Sequence, residues 1–484
     1  MQIQEQMGTQ NTSLAAQPGR IGGVMTHVRE RIASAGSRSG MRLPSIRHCA
    51  RTLGVSKSTV VEAYGRLIAE GEISSRRGSG FYVVARAKPL SLAEMGQPVL
   101  REIDPLWVMR SSLQTDDSVL KPGCGWLPDG WMPDDAIRRA LRAEARGAAA
   151  PLVNYSRPLG FQPLREYFSL LLGERGVATA ADQILLTDSG TQAMDLLCRL
   201  FVQPGDTVLV DDPCYFNFLN IARAHRAKIV SVPYTKAGPD LAAFERSLSL
   251  HAPRLYLTTG TFHNPTGATA SSSVQHRLLK LAAAHNLIVV EDDIFADFDP
   301  QPTTRLATFD GFERVIYVGS YSKTLSAAVR CGYIAARHEW IEKLVDLRLA
   351  TTFGGSEIAA RTVYRLLLDG SYRRHMNALR TRLAVAHART AARLVGAGLT
   401  PWCEPRGGLF LWTELPGALD AADVTRRAIQ QGVMLAPGDV FSLSHAARGF
   451  LRFNVSQCAE SLIFQVLERS MHMVSCSTPY SAIL

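Results

Sequence analysis

Between residues 183 and 318 the chain repeats one pattern: a short run of apolar, β-favouring residues, then polar residues, then a stretch with helical spacing. The runs lie at 183–187, 207–210, 255–258, 287–290 and 315–318, and segments such as 191–200 and 273–284 read as helices between them. A strand with one wet face alternates apolar and polar residues, whereas an unbroken apolar run needs cover on both faces. Buried strands alternating with helices therefore predict an α/β body built on a mainly parallel sheet. Polar residues follow each run, at the strand ends where open sheets of this kind place ligands.

At 484 residues, 46% hydrophobic and 20% charged, the chain has the profile of a globular protein with a large core. No run of about 20 apolar residues is present to suggest a membrane span, and the first residues do not read as a secretory signal. The eight cysteines (49, 124, 198, 214, 331, 403, 458 and 476) form no Cys-x-x-Cys pair. That spacing speaks against a disulfide scaffold or a metal cage and for thiols in a reducing compartment, so a cytoplasmic location is expected. The net charge of +10 is uneven: residues 1–88 hold 13 Lys/Arg against 5 Asp/Glu, and the remainder 40 against 38. A basic head on a nearly neutral body points to a polyanionic partner for the head, with a solvated basic surface as the alternative.

Residues 1–20 are polar and read as a mobile tail. Val24, Val28 and Ile32 then recur at helical spacing. Ser45 is placed to cap a short helix ending at Gly54, and Ser56 a second one whose apolar face is Val60, Ala63, Tyr64 and Leu67. Ile73 and the run 81–84 read as strands joined by a turn containing Arg76, Arg77 and Gly78. Helix, helix, helix and hairpin make a winged helix-turn-helix over 21–85, with the second of the paired helices available to the major groove. The segment GMRLPSIRHCARTLGVSKSTVVEAYGRLIAEGEISSRRGSGFYV resembles the DNA-binding domain of the GntR family over its whole length. The resemblance implies that Arg47 meets a phosphate or base, that Ser56, Lys57, Ser58 and Thr59 lie at the groove, and that Arg77 and Gly78 form the wing tip. Several family members carry an arginine where Val61 stands here, so operator preference does not transfer.

A polar linker is expected over 86–97, followed by the large domain over 98–484. Its strand-end signals are Gly190 and Thr191 opening a helix, Tyr215, Asn264 in a rigid turn, Asp292 beside two further carboxylates, and Ser320, Ser322 and Lys323 followed by Arg330. Each has an ordinary structural reading, such as a plain strand-to-helix turn, a packed aromatic or a surface lysine. Taken together they match pyridoxal 5'-phosphate, which has an aldehyde, a ring nitrogen, a phenolic oxygen, a flat face and a phosphate. With the motifs SGTQ, HNPTG, EDD and SYSKTLSAAVRCGY, residues from about 98 to about 470 resemble the fold-type I aminotransferases. The resemblance implies that Lys323 forms the internal aldimine, Asp292 pairs with the pyridinium nitrogen, Asn264 bonds the phenolic oxygen and Tyr215 stacks on the ring. It further implies that Gly190, Thr191, Ser320, Ser322 and Arg330 surround the phosphate, that Tyr155 reaches it across a homodimer interface, and that Arg452 grips a substrate α-carboxylate. Lys323 and Asp292 are the candidate catalytic residues.

One departure stands out. The tyrosine usually found two or three residues after the ring-binding aspartate is replaced by Ile294 and Phe295, neither of which donates a hydrogen bond. A chain lacking that donor is expected to hold the cofactor but turn over amino donors poorly. The fusion as a whole resembles the MocR subgroup of GntR regulators. It implies a dimeric, operator-binding transcription regulator whose effector is pyridoxal phosphate or its aldimine with a small amino compound. The alternative is a working aminotransferase with an accessory DNA-binding head.

Overall fold

The computed structural model describes residues 20–34, 40–76, 79–84, 105–114, 118–301 and 303–477. The chain divides into two compact units, Met1–Leu90 and Ser91–Leu484. The expected tail up to residue 19, the expected linker over 86–97, and Arg77 and Gly78 lie outside the described residues.

In the first unit, α1 (Arg20–Ser34), α2 (Ile46–Leu53) and α3 (Lys57–Ala69) precede the hairpin β1 (Ile73–Arg76) and β2 (Gly80–Val83). The local chemistry sets these boundaries. The Ser45 hydroxyl accepts from the His48 amide at the start of α2, and Gly54 closes that helix at φ 64°. Ser56 accepts from the Thr59 amide and opens α3. Tyr64, buried between the helices and the wing, donates to the Pro44 carbonyl at 3.0 Å and meets Phe81 edge-on at 4.8 Å. Val24, Val28, Val60, Ala63 and Leu67 complete this small core, while Ile32 packs only partly buried against it. The segment before α2 also pairs with the wing, Leu43 N donating to Phe81 O at 2.8 Å and Val83 N to Met41 O at 3.0 Å.

The second unit is built on an eight-stranded sheet in the order β3-β10-β9-β8-β7-β4-β5-β6. Its strands are β3 (Ile184–Thr187), β4 (Thr207–Asp212), β5 (Lys228–Thr235), β6 (Gly238–Pro239), β7 (Leu255–Thr258), β8 (Ile288–Asp292), β9 (Val315–Ser320) and β10 (Gly332–Ala335). The pairs β4–β5, β4–β7, β7–β8 and β8–β9 are parallel. Strand β10 runs antiparallel between β9 and β3, which leaves β3 pointing with the rest. Each apolar run divides residue by residue between two cores: Leu209, Tyr256, Val289 and Tyr317 face one, and Val210, Leu257, Val290 and Ile316 the other. That division is the reason the runs show no polar alternation. Chain order reverses at β4, since β5 lies on one side of it and β7 on the other, and the crevice there opens at the strand ends. A second sheet, β11 (Thr400–Pro401), β12 (Phe410–Glu414), β13 (Ala436–Pro437) and β14 (Phe450–Asn454), follows the 26-residue helix Ser371–Gly396.

Candidate functional site

Three strand ends bring Asp292, Lys323 and Asn264 together. Asp292 is the last residue of β8, in register with Val318 of β9, and it is buried. Burial pushes its carboxyl up to about 7, and neighbouring Asp293 acts the same way; the Ile294 amide, donating at 3.2 Å, and Lys323 act against it. Lys323 sits three residues beyond β9, its Nζ donating to the Gly125 carbonyl at 2.8 Å. Burial lowers its ammonium to about 8, with Arg452 and Arg330 pushing the same way and Asp292 opposing. More of the amine is thus in its neutral, nucleophilic form near neutral pH than for an ordinary lysine.

Arg452 comes from β14 of the second sheet and is 2% exposed. Its Nη1 donates to Asn264 Oδ1 at 2.8 Å and its Nη2 to Gly123 O at 2.7 Å, while Nε is buried without a partner among the described residues. The rings of Phe410 and Phe441 flank the guanidinium at 4.3 and 4.6 Å. Burial lowers it to about 10. Asn264 rests on a buried group behind it: His263 stacks on Tyr234 at 3.8 Å, meets Thr266 Oγ1 at 2.8 Å and lies 3.5 Å from Asp211. The Asp211 carboxylate is held by the hydroxyls of Tyr256 and Thr258. Tyr215, just past β4, has its phenol pushed up to about 12, chiefly by burial and then by the charge of Asp292.

Gly190, Ser320 and Ser322 form a second cluster. A Cβ placed on Gly190 would lie 3.4 Å from Ile294 Cγ2 and 3.8 Å from Ser320 Cβ, in ordinary contact, so the turn after β3 lies against both residues. Ser189 caps the helix Gly190–Phe201 by accepting from the Gln192 amide, and Thr191 is exposed in the first turn, where amides lack acceptors within the helix. The Ser320 hydroxyl donates to Ser322 Oγ at 3.1 Å and accepts from the Ser322 amide at 3.2 Å. Arg330 is exposed, at φ 53°, with no carboxylate partner among the described residues. Tyr155 stands apart on the surface, 81% exposed, its ring 4.8 Å from that of Phe353.

Sequence reasoning missed the loop Gly123-Cys124-Gly125-Trp126. Its carbonyls accept from Arg452 and Lys323, and the Asn454 side chain anchors it through Cys124 O at 3.2 Å and Trp126 O at 2.8 Å. A Cβ on Gly123 would come within 2.5 Å of the Ala436 amide nitrogen; the paired glycines were the one available signal. Ile294 packs over Gly190, and Phe295 is buried against Phe298 and Phe410, so neither position supplies a polar atom.

The donor set fits pyridoxal phosphate: a buried carboxyl for a ring nitrogen, a half-buried amine for an aldehyde, an amide and an aromatic in the same region, and a helix start at Gly190. In the first unit Arg47, Ser56, Lys57 and Ser58 are exposed and Thr59 partly so. Ser56 Oγ also meets the Ser58 and Thr59 hydroxyls at 2.8 Å, committing it to the cap. Arg42 and Arg51 are exposed beside them, and Arg76 lies over Tyr82 at 4.7 Å.

Residues 126–469 match the family model for aminotransferase class I and II, and residues 21–83 the model for bacterial regulatory proteins of the gntR family. Similar curated proteins include the uncharacterized HTH-type transcriptional regulator YdcR of Escherichia coli, 29% identical over 439 residues (89% of this chain, 93% of the relative). The HTH-type transcriptional regulator NorG of Staphylococcus aureus is 25% identical over 415 residues, 83% of this chain and 92% of the relative. Among solved structures, the α-aminoadipate aminotransferase LysN of Thermus thermophilus superposes with a TM-score of 0.70 at 26% identity, over 77% of this chain and 96% of its own. The kynurenine aminotransferase of Pyrococcus horikoshii gives 0.70 at 26% identity, over 78% and 95%.

Proposed function

This chain belongs to the aminotransferase class I and II family and, through its fused gntR-type helix-turn-helix, to the MocR-type regulators, and from that premise we propose that it is a pyridoxal-phosphate-dependent transcription regulator. Its effector is the cofactor itself or a small amino compound joined to it. The observation that carries the reading is the half-buried Lys323 amine, lowered to about 8 and acted on by the charge of buried Asp292, in a chain whose other unit exposes Lys57 and Ser58 at the start of α3.

When bound, pyridoxal phosphate supplies an aldehyde for amines and a ring that withdraws electrons. Lys323 offers its neutral amine to that aldehyde. Asp292 holds the proton at the ring nitrogen. Asn264 has its carbonyl occupied by Arg452, which leaves its Nδ2 to donate to the phenolic oxygen. Tyr215 covers the ring face. The amides of Gly190 and Thr191, with Ser320, Ser322 and Arg330, take the phosphate. Arg452 presents a bidentate fork to a carboxylate on the amino compound. The exposure of Tyr155 supports a homodimer in which it completes the partner's phosphate site, and the free cysteines support a cytoplasmic location. Among the described residues no helix is long and apolar enough to cross a membrane.

An aminotransferase reading is favoured by the retention of Lys323, Asp292 and Arg452. Ile294 and Phe295 weigh against efficient turnover, because both fill space without donating. Ligand control of operator binding requires that the bound molecule favour one of two arrangements of the protein. Borohydride treatment of the pyridoxal-phosphate-loaded chain tests the cofactor assignment. A stable adduct mapping to Lys323 is expected, and an adduct spread over surface lysines contradicts it.

A further inference from the structure

We propose that the second unit carries another small-molecule site, separate from the Lys323 site, that takes a monocarboxylate with an apolar body. A cavity of about 590 Å³ lies between the helix Ser371–Gly396 and the segment 401–411. That volume falls in the range of small-ligand sites. One wall is a helix face of Leu383, Ala384, Ala388, Ala391 and Val395, at three- and four-residue spacing; Leu383 is buried at its floor, and Ala384, Ala388 and Val395 are open to solvent. Alanines stand where longer side chains would have closed the space. Phe298, Pro401, Pro405 and Leu411 face them. Apolar walls of this size favour an apolar body over water.

The charged groups on the lining specify the other end of the ligand. They are Arg380, Arg406 and Glu404, with His387, whose ring is lowered from its usual value by burial. Arg380 donates to the Asp297 carbonyl at 2.9 Å and to Asn377 Oδ1 at 3.3 Å; neither Arg380 nor Arg406 has a carboxylate partner among the described residues. Arg406 also lines a neighbouring polar cavity with Lys236. Two guanidiniums against one carboxylate leave a single positive charge for a monoanion.

The cavity shares a wall with the turn that bears Asn264. Cβ atoms placed on Gly407 and Gly408 would come within 3.0 and 2.9 Å of Phe262, and one on Gly267 within 2.7 Å of Pro405. Backbone packed this closely moves as a piece, so an occupant here bears on the turn from behind, without entering the amine-binding cavity.

The test is equilibrium binding of 8-anilinonaphthalene-1-sulfonate to the full chain by fluorescence, with decanoate as competitor, in wild type, Ala388→Trp and Arg406→Gln. Pyridoxal phosphate absorbance in the same samples reports an intact fold and is scored separately, so failure of the cofactor reading is visible on its own. Wild type is expected to bind the probe and release it to decanoate. Ala388→Trp should weaken the probe about tenfold or more by filling the cavity, and Arg406→Gln about tenfold by removing a charged hydrogen bond. Equal probe affinity in wild type and Ala388→Trp overturns the proposal. So does a probe that decanoate fails to displace from wild type.

Discussion

Arg452 donates to the side-chain carbonyl of Asn264 at 2.8 Å, linking a strand of the second sheet to a turn of the first. The bond settles the amide's orientation, because the carbonyl is the only end of Asn264 that a guanidinium can use. In the proposed site the same arginine is the carboxylate grip, so occupancy there would bear on the amide assigned to the phenolic oxygen. Arg452→Leu keeps the buried volume roughly apolar but removes the fork. Binding of α-amino acids to the loaded protein should weaken by about 10- to 100-fold, while amines lacking a carboxylate keep their affinity within about threefold. Absorbance titration with matched pairs, such as an amino acid and its decarboxylated amine, reads the difference.

Titration of the apo-protein should show two opposed pH windows. Asp292 and Glu291 are both raised to about 7 by burial, so between roughly pH 4 and 7 the folded state holds protons that the unfolded state releases. Stability falls as pH rises through that window. Lys323 is lowered from 10.5 to about 8, so between those values the unfolded state holds the extra proton and stability rises with pH. Asp292→Asn should reduce the slope of the first window, leaving the share of Glu291, and keep the second in place, as read by thermal unfolding across pH.

Pyridoxal phosphate uptake should follow the neutral fraction of Lys323, about a tenth at pH 7 and most of it above pH 9. The initial rate of adduct formation, followed by absorbance, should therefore climb through pH 8 and level off. A flat profile would mean that the reacting amine is a different one.

Much of this was readable in the residues. The head's boundaries are set by Ser45, Gly54 and Ser56, whose effects act within one helical turn, and the five apolar runs are long enough to declare a doubly covered sheet. Strand β10 was missed because four residues of mixed character carry no period, and β11 and β13 have only two residues each. The loop at Gly123–Gly125 was missed for a different reason. Its role depends on the approach of Ala436, Arg452 and Lys323, which are between about 200 and 330 residues away in sequence. Strand ends also proved longer than the apolar runs: Asp292 and Ser320 are the last residues of their strands, since paired buried polar groups can remain in the ladder.

Gly123→Ala makes that loop's contribution measurable. A methyl there meets the backbone at Ala436, and the strain should cost about 1–3 kcal/mol and weaken cofactor binding together with stability. Gly125→Ala meets only side-chain tips at 3.9 Å and should leave stability nearly unchanged. Chemical denaturation of both variants compares them.

In the head, Lys57→Ala should lower operator affinity and reduce the slope of its logarithm against salt by about one unit, if Lys57 meets a phosphate. Leu67→Ala, deep in the helical core, should cost about 2–5 kcal/mol and abolish operator binding while the absorbance of the loaded second unit persists. Fluorescence anisotropy with labelled upstream DNA reads both variants.

The most direct measurement is operator affinity of the full chain at fixed salt, with and without saturating pyridoxal phosphate, in wild type and Lys323→Ala. The account requires a change of about fivefold or more in wild type, in either direction, and none in Lys323→Ala. Equal operator affinity with and without the cofactor in wild type would contradict it.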